Sequence, residues 1–287
     1  PDGAYLGGNH TVSGSIRYNG NYIDLNRNFP DPAAGPNPDG NSRQTETQMM
    51  MDFANAHHFS LSLNIHSGAE VVNYPWDTWS NTPADLNWWE HVCNEYSDTC
   101  QLNGNSNYFT DFNNGITNGF DWYEVDGGRQ DYSNYFNHSR EFTLELSNNK
   151  TPNPSSLPYY WNANISSLYN FIQQSLFGLR GIVTDSISGQ PLKAFIEVLN
   201  HDIDSSQVFS TLPIGNYHRY LYQGNYQIKF SKTGYHSKTI NTSILNNSTT
   251  TNDIQLVPIN FVSINEIIKE KNIYQSIDIL GKNKNSK

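Results

Sequence analysis

An α/β fold over the first 178 residues, followed by a small all-β sandwich, is what this sequence predicts. Helix-like and strand-like patterns interleave as far as Phe177, whereas from Gly181 short alternating strands follow one another between turn residues. Composition shifts at the same place. Residues 1–178 hold six Lys and Arg against nineteen Asp and Glu, net −13, and all six Trp; residues 179–287 hold eleven against eight, net +3. A change of this kind near Leu179-Arg180-Gly181 marks a domain boundary, and 287 residues suffice for two cores.

Along the first part, Thr45 to His57 reads as a helix with Met49, Met50, Phe53 and Ala54 as its apolar positions. Phe59-Ser60-Leu61-Ser62-Leu63-Asn64-Ile65 alternates as a strand, so His66 stands at a strand's C-terminal end, where open α/β sheets place ligands. Asp85 to Tyr96 is a second helix with Trp88 and Trp89 as core aromatics. Asn103 to Tyr135 is a long loop rich in Asn, Gly and Tyr. Glu141 to Leu146 is a strand, and Tyr159 to Leu176 a closing helix with Leu168, Phe171, Ile172 and Leu176 on one face. The second part offers strands at Gly181–Asp185, Ala194–Leu199, Tyr217–Leu221, Tyr226–Phe230 and Ser237–Ile244.

A net charge of −10 argues against a nucleic-acid partner that needs a basic face. No run of 18 apolar residues is present, so no transmembrane helix is expected, and no signal peptide is visible. Cys93 and Cys100 leave two readings open, buried thiols or a local disulfide. Their spacing, without neighbouring Cys or His pairs, is poor for structural zinc.

Three segments carry the chemistry. Tyr22-Ile23-Asp24-Leu25-Asn26-Arg27-Asn28-Phe29-Pro30 sets an amide beside a guanidinium fork, equipment for gripping a carboxylate. Asn64-Ile65-His66-Ser67-Gly68 and Glu141-Phe142-Thr143-Leu144-Glu145-Leu146-Ser147 follow in order. Together they resemble the zinc metallocarboxypeptidases of the carboxypeptidase A/B clan, most closely the regulatory branch that includes carboxypeptidases N, E, D and M. The resemblance covers roughly Pro1 to Phe177. In that family the first two zinc ligands lie in a His-x-x-Glu motif upstream of an Asn-Pro-Asp-Gly segment. The chain opens at Pro1-Asp2-Gly3, so the resemblance implies an incomplete zinc site and an inactive polypeptide as given.

The same resemblance implies the site residues. His66 matches the third zinc ligand, against the plain reading of a satisfied histidine at a strand end. Glu145 matches the catalytic carboxylate that takes a proton from zinc-bound water, against a residue turned to solvent. Asn26 and Arg27 match the pair that binds the substrate's terminal carboxylate. Tyr123 matches a mobile tyrosine, with Gly127-Gly128 after it supporting a flexible loop. Asp77 and Gln130 match the residues that receive Lys or Arg, although Asp77 also suits a turn and Arg129 departs from the apolar residue expected beside Gln130. His138-Ser139-Arg140-Glu141 is formally His-x-x-Glu, but a strand sends its two ends to opposite faces.

The expected organisation is therefore the C-terminal part of a zinc carboxypeptidase domain over 1–178, a transthyretin-like β-sandwich over 179–258, and a linker with a partial sorting segment over 259–287. Gly181-Ile182-Val183-Thr184-Asp185-Ser186 with Gly189, Pro191 and Leu192 carries the transthyretin-like resemblance. Ile273 to Gly281 resembles the start of the sorting domain of Bacteroidetes type IX secretion substrates, which implies an exported, extracellular or surface protein of bacterial origin. The expected activity is a Zn2+-dependent exopeptidase acting on peptide or protein C-termini ending in Lys or Arg. A non-catalytic C-terminus-binding module and an exported surface protein are the alternatives.

Overall fold

The computed structural model describes residues 16–259. Pro1-Asp2-Gly3 and the Ile273–Gly281 segment lie outside the described residues.

The first half folds in the order α1 (Thr45–His57), β1 (Leu61–His66), β2 (Glu70–Tyr74), α2 (Leu86–Asn103), β3 (Ile116–Asn118), α3 (Gly119–Trp122), α4 (Arg129–Tyr135), β4 (Arg140–Leu146) and α5 (Leu157–Gln174). A short 3-10 turn, Leu25–Arg27, comes before them, capped by the Asp24 side chain, which accepts the Asn26 N–H. The four strands form one mixed sheet in the order β1-β4-β2-β3. β1 runs parallel to β4, and β2 antiparallel to it.

Alternation along these strands gives the sheet two different faces. One carries Leu61, Leu63, Val72, Tyr74, Phe142 and Leu144, and α2 and α5 pack over it to close a core with Trp88, Trp89, Val92, Tyr96 and Phe171. The other carries Ser62, Asn64 and His66 from β1 and Glu141, Thr143 and Glu145 from β4.

Cys93 and Cys100 are free, buried thiols, and Cys100 Sγ donates to Asn164 Oδ1 at 3.2 Å. This resolves the two readings left open for the pair.

The second half contains β5 (Gly178–Asp185), β6 (Phe195–Val198), β7 (Val208–Phe209), β8 (Asn216–Arg219), β9 (Gly224–Ser231), β10 (Lys238–Ile244), β11 (Thr249–Thr251) and β12 (Ile254–Leu256). One sheet has the order β10-β9-β6-β7; the other is built on β5, flanked by β11, β12 and β8. Leu179, Val183 and Leu256 from one sheet meet Ile196, Ile228 and Phe230 from the other in a single core.

The two halves meet through buried charge. Asp85, just ahead of α2, accepts from Arg140 Nη2 at 2.7 Å, Arg219 Nη1 at 2.8 Å and His201 Nε2 at 2.9 Å. Arg219 also holds Asp202 at 2.5 Å. Tyr220 reaches across to pack on Trp88, ring centroids 5.1 Å apart, within the first core.

Several sequence expectations need correction. The apolar positions of α1 are not core: Met49, Met50 and Phe53 are exposed, and Thr47 is the helix's buried residue. Ile172 in α5 and Leu176 just past its end are exposed; the packed face holds Phe171, as expected, together with Ala163, Asn164, Ser167 and Gln174, which are small or polar. The stretch 103–135 is not a loop throughout, since it contains β3, α3 and most of α4. β2, β7, β11 and β12 had no strand signal of their own.

Candidate active site

Strand register places the first two functional groups. His66 and Glu145 are Cα partners at the C-terminal ends of two parallel strands, so their side chains leave the same face side by side. Asn64, two residues before His66, points the same way and its amide donates to His66 Nε2 at 3.0 Å, which leaves the ring neutral. Burial lowers the His66 pKa, and the guanidiniums of Arg17, Arg27 and Arg129 lower it further against Asp24.

Glu145 is buried at 7 % exposure, and its Oε2 has no hydrogen-bond partner among the described residues. Burial pushes its carboxyl up to about 7, while Arg17 and Lys150 pull the other way. A carboxyl poised near neutrality suits a group that takes and returns a proton. The solvent-facing reading of Glu145 is thereby excluded.

Asn26 and Arg27 sit in the capped turn. Asn26 Oδ1 accepts the Arg129 N–H at 2.9 Å, which ties this turn to the start of α4. Gly127 completes the junction with φ +69°. Its N–H donates to Asp31 Oδ2 at 2.9 Å, its carbonyl accepts from Phe29 at 3.1 Å, and a Cβ there would lie 2.3 Å from the Arg27 carbonyl oxygen. Gly127 thus serves close approach, whereas a Cβ at Gly128 would make only ordinary contacts. Tyr123 is 49 % exposed, edge-on against Trp122 at 5.0 Å, and interacts electrostatically with Arg17.

Asp77 and Gln130 are brought together. Asp77 Oδ1 accepts from Asn73 Nδ2 at 2.9 Å and Gln130 Nε2 at 3.1 Å. Gln130 Oε1 in turn accepts the Thr143 N–H on β4 at 2.7 Å. Gly119 lies so close that a Cβ would fall 1.7 Å from Asp77 Oδ1. The turn-acid reading of Asp77 fails, because its carboxylate faces inward. Arg129, the unexpected residue beside Gln130, pairs with Glu141 Oε2 at 3.0 Å, which Ser62 and Ser133 also reach, so its charge is offset locally.

Comparison with known proteins decides the family. The zinc carboxypeptidase profile (peptidase M14) matches residues 1–167. The chain belongs to the zinc carboxypeptidase family. Among curated relatives, carboxypeptidase SOL1 of Arabidopsis thaliana is 33% identical over 252 residues, which is 84% of this chain and 50% of that protein. Mouse carboxypeptidase M is 36% identical over 241 residues, 77% of this chain and 52% of the relative. Mouse carboxypeptidase D is 36% identical over 243 residues, 79% of this chain and 17% of the relative. The chain thus spans about half the length of the first and second of these relatives, and a smaller share of the third.

Zinc is the metal this family implies. Its centres take three protein ligands, and among the described residues no three His, Cys, Asp or Glu side chains gather into such a group. His66 is a suitable single ligand, a neutral imidazole beside an unpartnered carboxylate oxygen, but it does not make a zinc centre alone. The His138–Glu141 decoy fails as expected: His138 has φ +54° and its Nδ1 bonds the Ser205 carbonyl at 3.0 Å, while Glu141 turns inward to Arg129.

Sequence reasoning missed Arg17. It bonds Asp24 Oδ2 through Nε at 2.5 Å, and its charge acts on both His66 and Glu145. It stands in Ile16-Arg17-Tyr18-Asn19, where no local pattern separates it from a surface arginine.

Proposed function

We propose that this chain is the substrate-gripping part of a metallocarboxypeptidase that removes C-terminal Lys or Arg from peptides and proteins. Arg27 and Asn26 take the terminal carboxylate, Asp77 with Gln130 takes the cationic side chain, and exposed Tyr123 covers the bound end. Glu145 holds or releases the proton moved between water and the leaving amine. Zinc, when bound, supplies an activated water at neutral pH. The pairing of His66 with an unpartnered, near-neutral Glu145 at parallel strand ends carries this reading. Residues 179–258 are read as a transthyretin-like support for that unit, and the protein as exported.

Glu145→Gln tests the assignment. Hydrolysis of a peptide ending in Arg by the zinc-loaded protein should drop by about 10³-fold or more, with zinc stoichiometry unchanged. Loss of zinc instead would show that Glu145 is a ligand rather than the base. One observation favours a second reading: the described residues bring a single zinc-type ligand to the site. A module that grips C-termini without cutting them would bind Arg-ended peptides equally well with and without zinc and show no turnover.

A further inference from the structure

The pocket that ends at Asp77 is built from more acid than the substrate reading needs. Asp131, in the first turn of α4, is wholly buried, and its two oxygens accept the Asp77 N–H at 3.1 and 2.9 Å and the Thr78 N–H at 2.9 Å. The Thr78 hydroxyl has one proton to divide between Asp31 Oδ1 at 2.8 Å and Asp126 Oδ1 at 3.0 Å. Asp31 is itself held by three backbone N–H groups, those of Ala33, Ala34 and Gly127. Four carboxylates therefore crowd one loop junction. Among the described residues, the basic side chain with an electrostatic hold on Asp77 is that of Arg27, which stands in the turn assigned to another anion.

Asp77 is asymmetric within this cluster. Its Oδ1 is clamped by two amides, while its Oδ2 has no hydrogen-bond partner among the described residues and lies against Gly128, where a Cβ would stand 3.6 Å away. Burial of the Asp77 carboxyl, with no cation in contact among the described residues, favours its protonated form.

We propose that Asp131 is a positioning residue for this pocket: it pins the Asp77 backbone and so aims the Asp77 carboxyl at an entering cationic side chain, which displaces the proton on that carboxyl. The inference rests on the reading of Asp77 as the receiver of Lys or Arg. Burial pushes Asp77 up to about 6, opposed by Asn73 and Arg27 and aided by Asp31. Burial and the neighbouring Asp77 push Asp131 up as well, against its backbone N–H bonds. Cation binding needs the ionised form, so preference for a basic residue should be present above about pH 6 and fade below it.

The test is calorimetric binding of Ala-Arg and Ala-Phe to the whole chain between pH 5 and 7, in two buffers of different ionisation enthalpy. The ratio of the two affinities cancels the titration of His66 and Glu145, which act on both peptides alike. The Arg preference should fall about tenfold from pH 7 to pH 5, and Ala-Arg should release about half a proton more than Ala-Phe at pH 6. Asp131→Asn should weaken Ala-Arg selectively at pH 7, because the Asp77 and Thr78 N–H groups lose their carboxylate acceptor and the Asp77 carboxyl its aim, while the pH dependence set by Asp77 itself stays in place. A preference for Ala-Arg with no differential proton release overturns this inference alone. So does an Asp131→Asn variant that weakens both peptides equally. No preference for Ala-Arg at any pH overturns the underlying reading of Asp77 and this inference with it.

Discussion

Asp85 and Asp77 are almost equally shut away from water, yet their surroundings drive them in opposite directions. For Asp85, burial raises the pKa, but Arg219 and Arg140 outweigh it and hold the carboxyl well below the usual range. For Asp77, burial wins, since it has amide donors and no basic partner in contact, and the carboxyl rises to about 6. A buried charge with partners is a structural tie; a buried charge whose partner is missing is a place for something to bind. The two sites thus separate an interface from a pocket, although neither can be told from the other by exposure.

The largest break in that comparison should come at the tie. Asp85→Asn leaves Arg140 and Arg219 buried with only Asp202 as carboxylate, so denaturant unfolding should show a loss of about 3–5 kcal/mol. An effect under about 1 kcal/mol would mean that the interface does not depend on this cluster. Asp77→Asn should act on selectivity instead. It should reduce the preference for Arg-ended over Phe-ended peptides by about 10–100-fold, or 1.4–2.7 kcal/mol, and should raise rather than lower stability at neutral pH, because a buried charge is removed.

The two acids should also leave opposite marks on stability against pH. Asp85 has a depressed folded pKa, so its contribution is present above about pH 4 and is lost as pH falls below that. Asp77 has a raised one, so between about pH 4 and 6 the native state binds more protons and stability falls as pH rises through that window. Asp85→Asn should flatten the acid limb and Asp77→Asn the middle one; a shared change in both limbs would show that the two sites are coupled. The smallest effect belongs to an exposed pair, Glu197 and Lys229 at 3.7 Å, where Glu197→Gln should shift stability by less than about 0.5 kcal/mol.

Much of the fold was legible in the sequence, and the misses have physical causes. The α1 bounds agree with the pattern, but periodicity tells only that Met49, Met50 and Phe53 share a face, not that anything covers it. α5 hides Asn164 and Ser167 because Asn164 bonds Tyr108 and Ser167 bonds the Tyr96 carbonyl, partners more than 50 residues away that no local window reveals. Of the residues read from three ordered motifs, the structure sets His66 beside Glu145 and Asp77 beside Gln130, while Asn26 bonds Arg129, which no motif had assigned to the site. What the motifs could not disclose was the second layer. Arg17, Asp131 and the Arg129–Glu141 pair act through distances set by folding, and each looks ordinary in its own stretch of chain.

β4 carries Arg140 at its first position and Glu145 near its last, one strand that is anchored in the inter-half cluster and also carries the acid proposed to handle the proton. Shortening the chain after Phe177 would therefore do more than discard an appendage. It would strip Asp85 of Arg219, vacate the seat of Tyr220 beside Trp88, and loosen the base of the strand on which Glu145 is mounted. Anyone trimming this protein to a minimal catalytic piece should expect to keep the β-rich half for the sake of the acid it steadies from below.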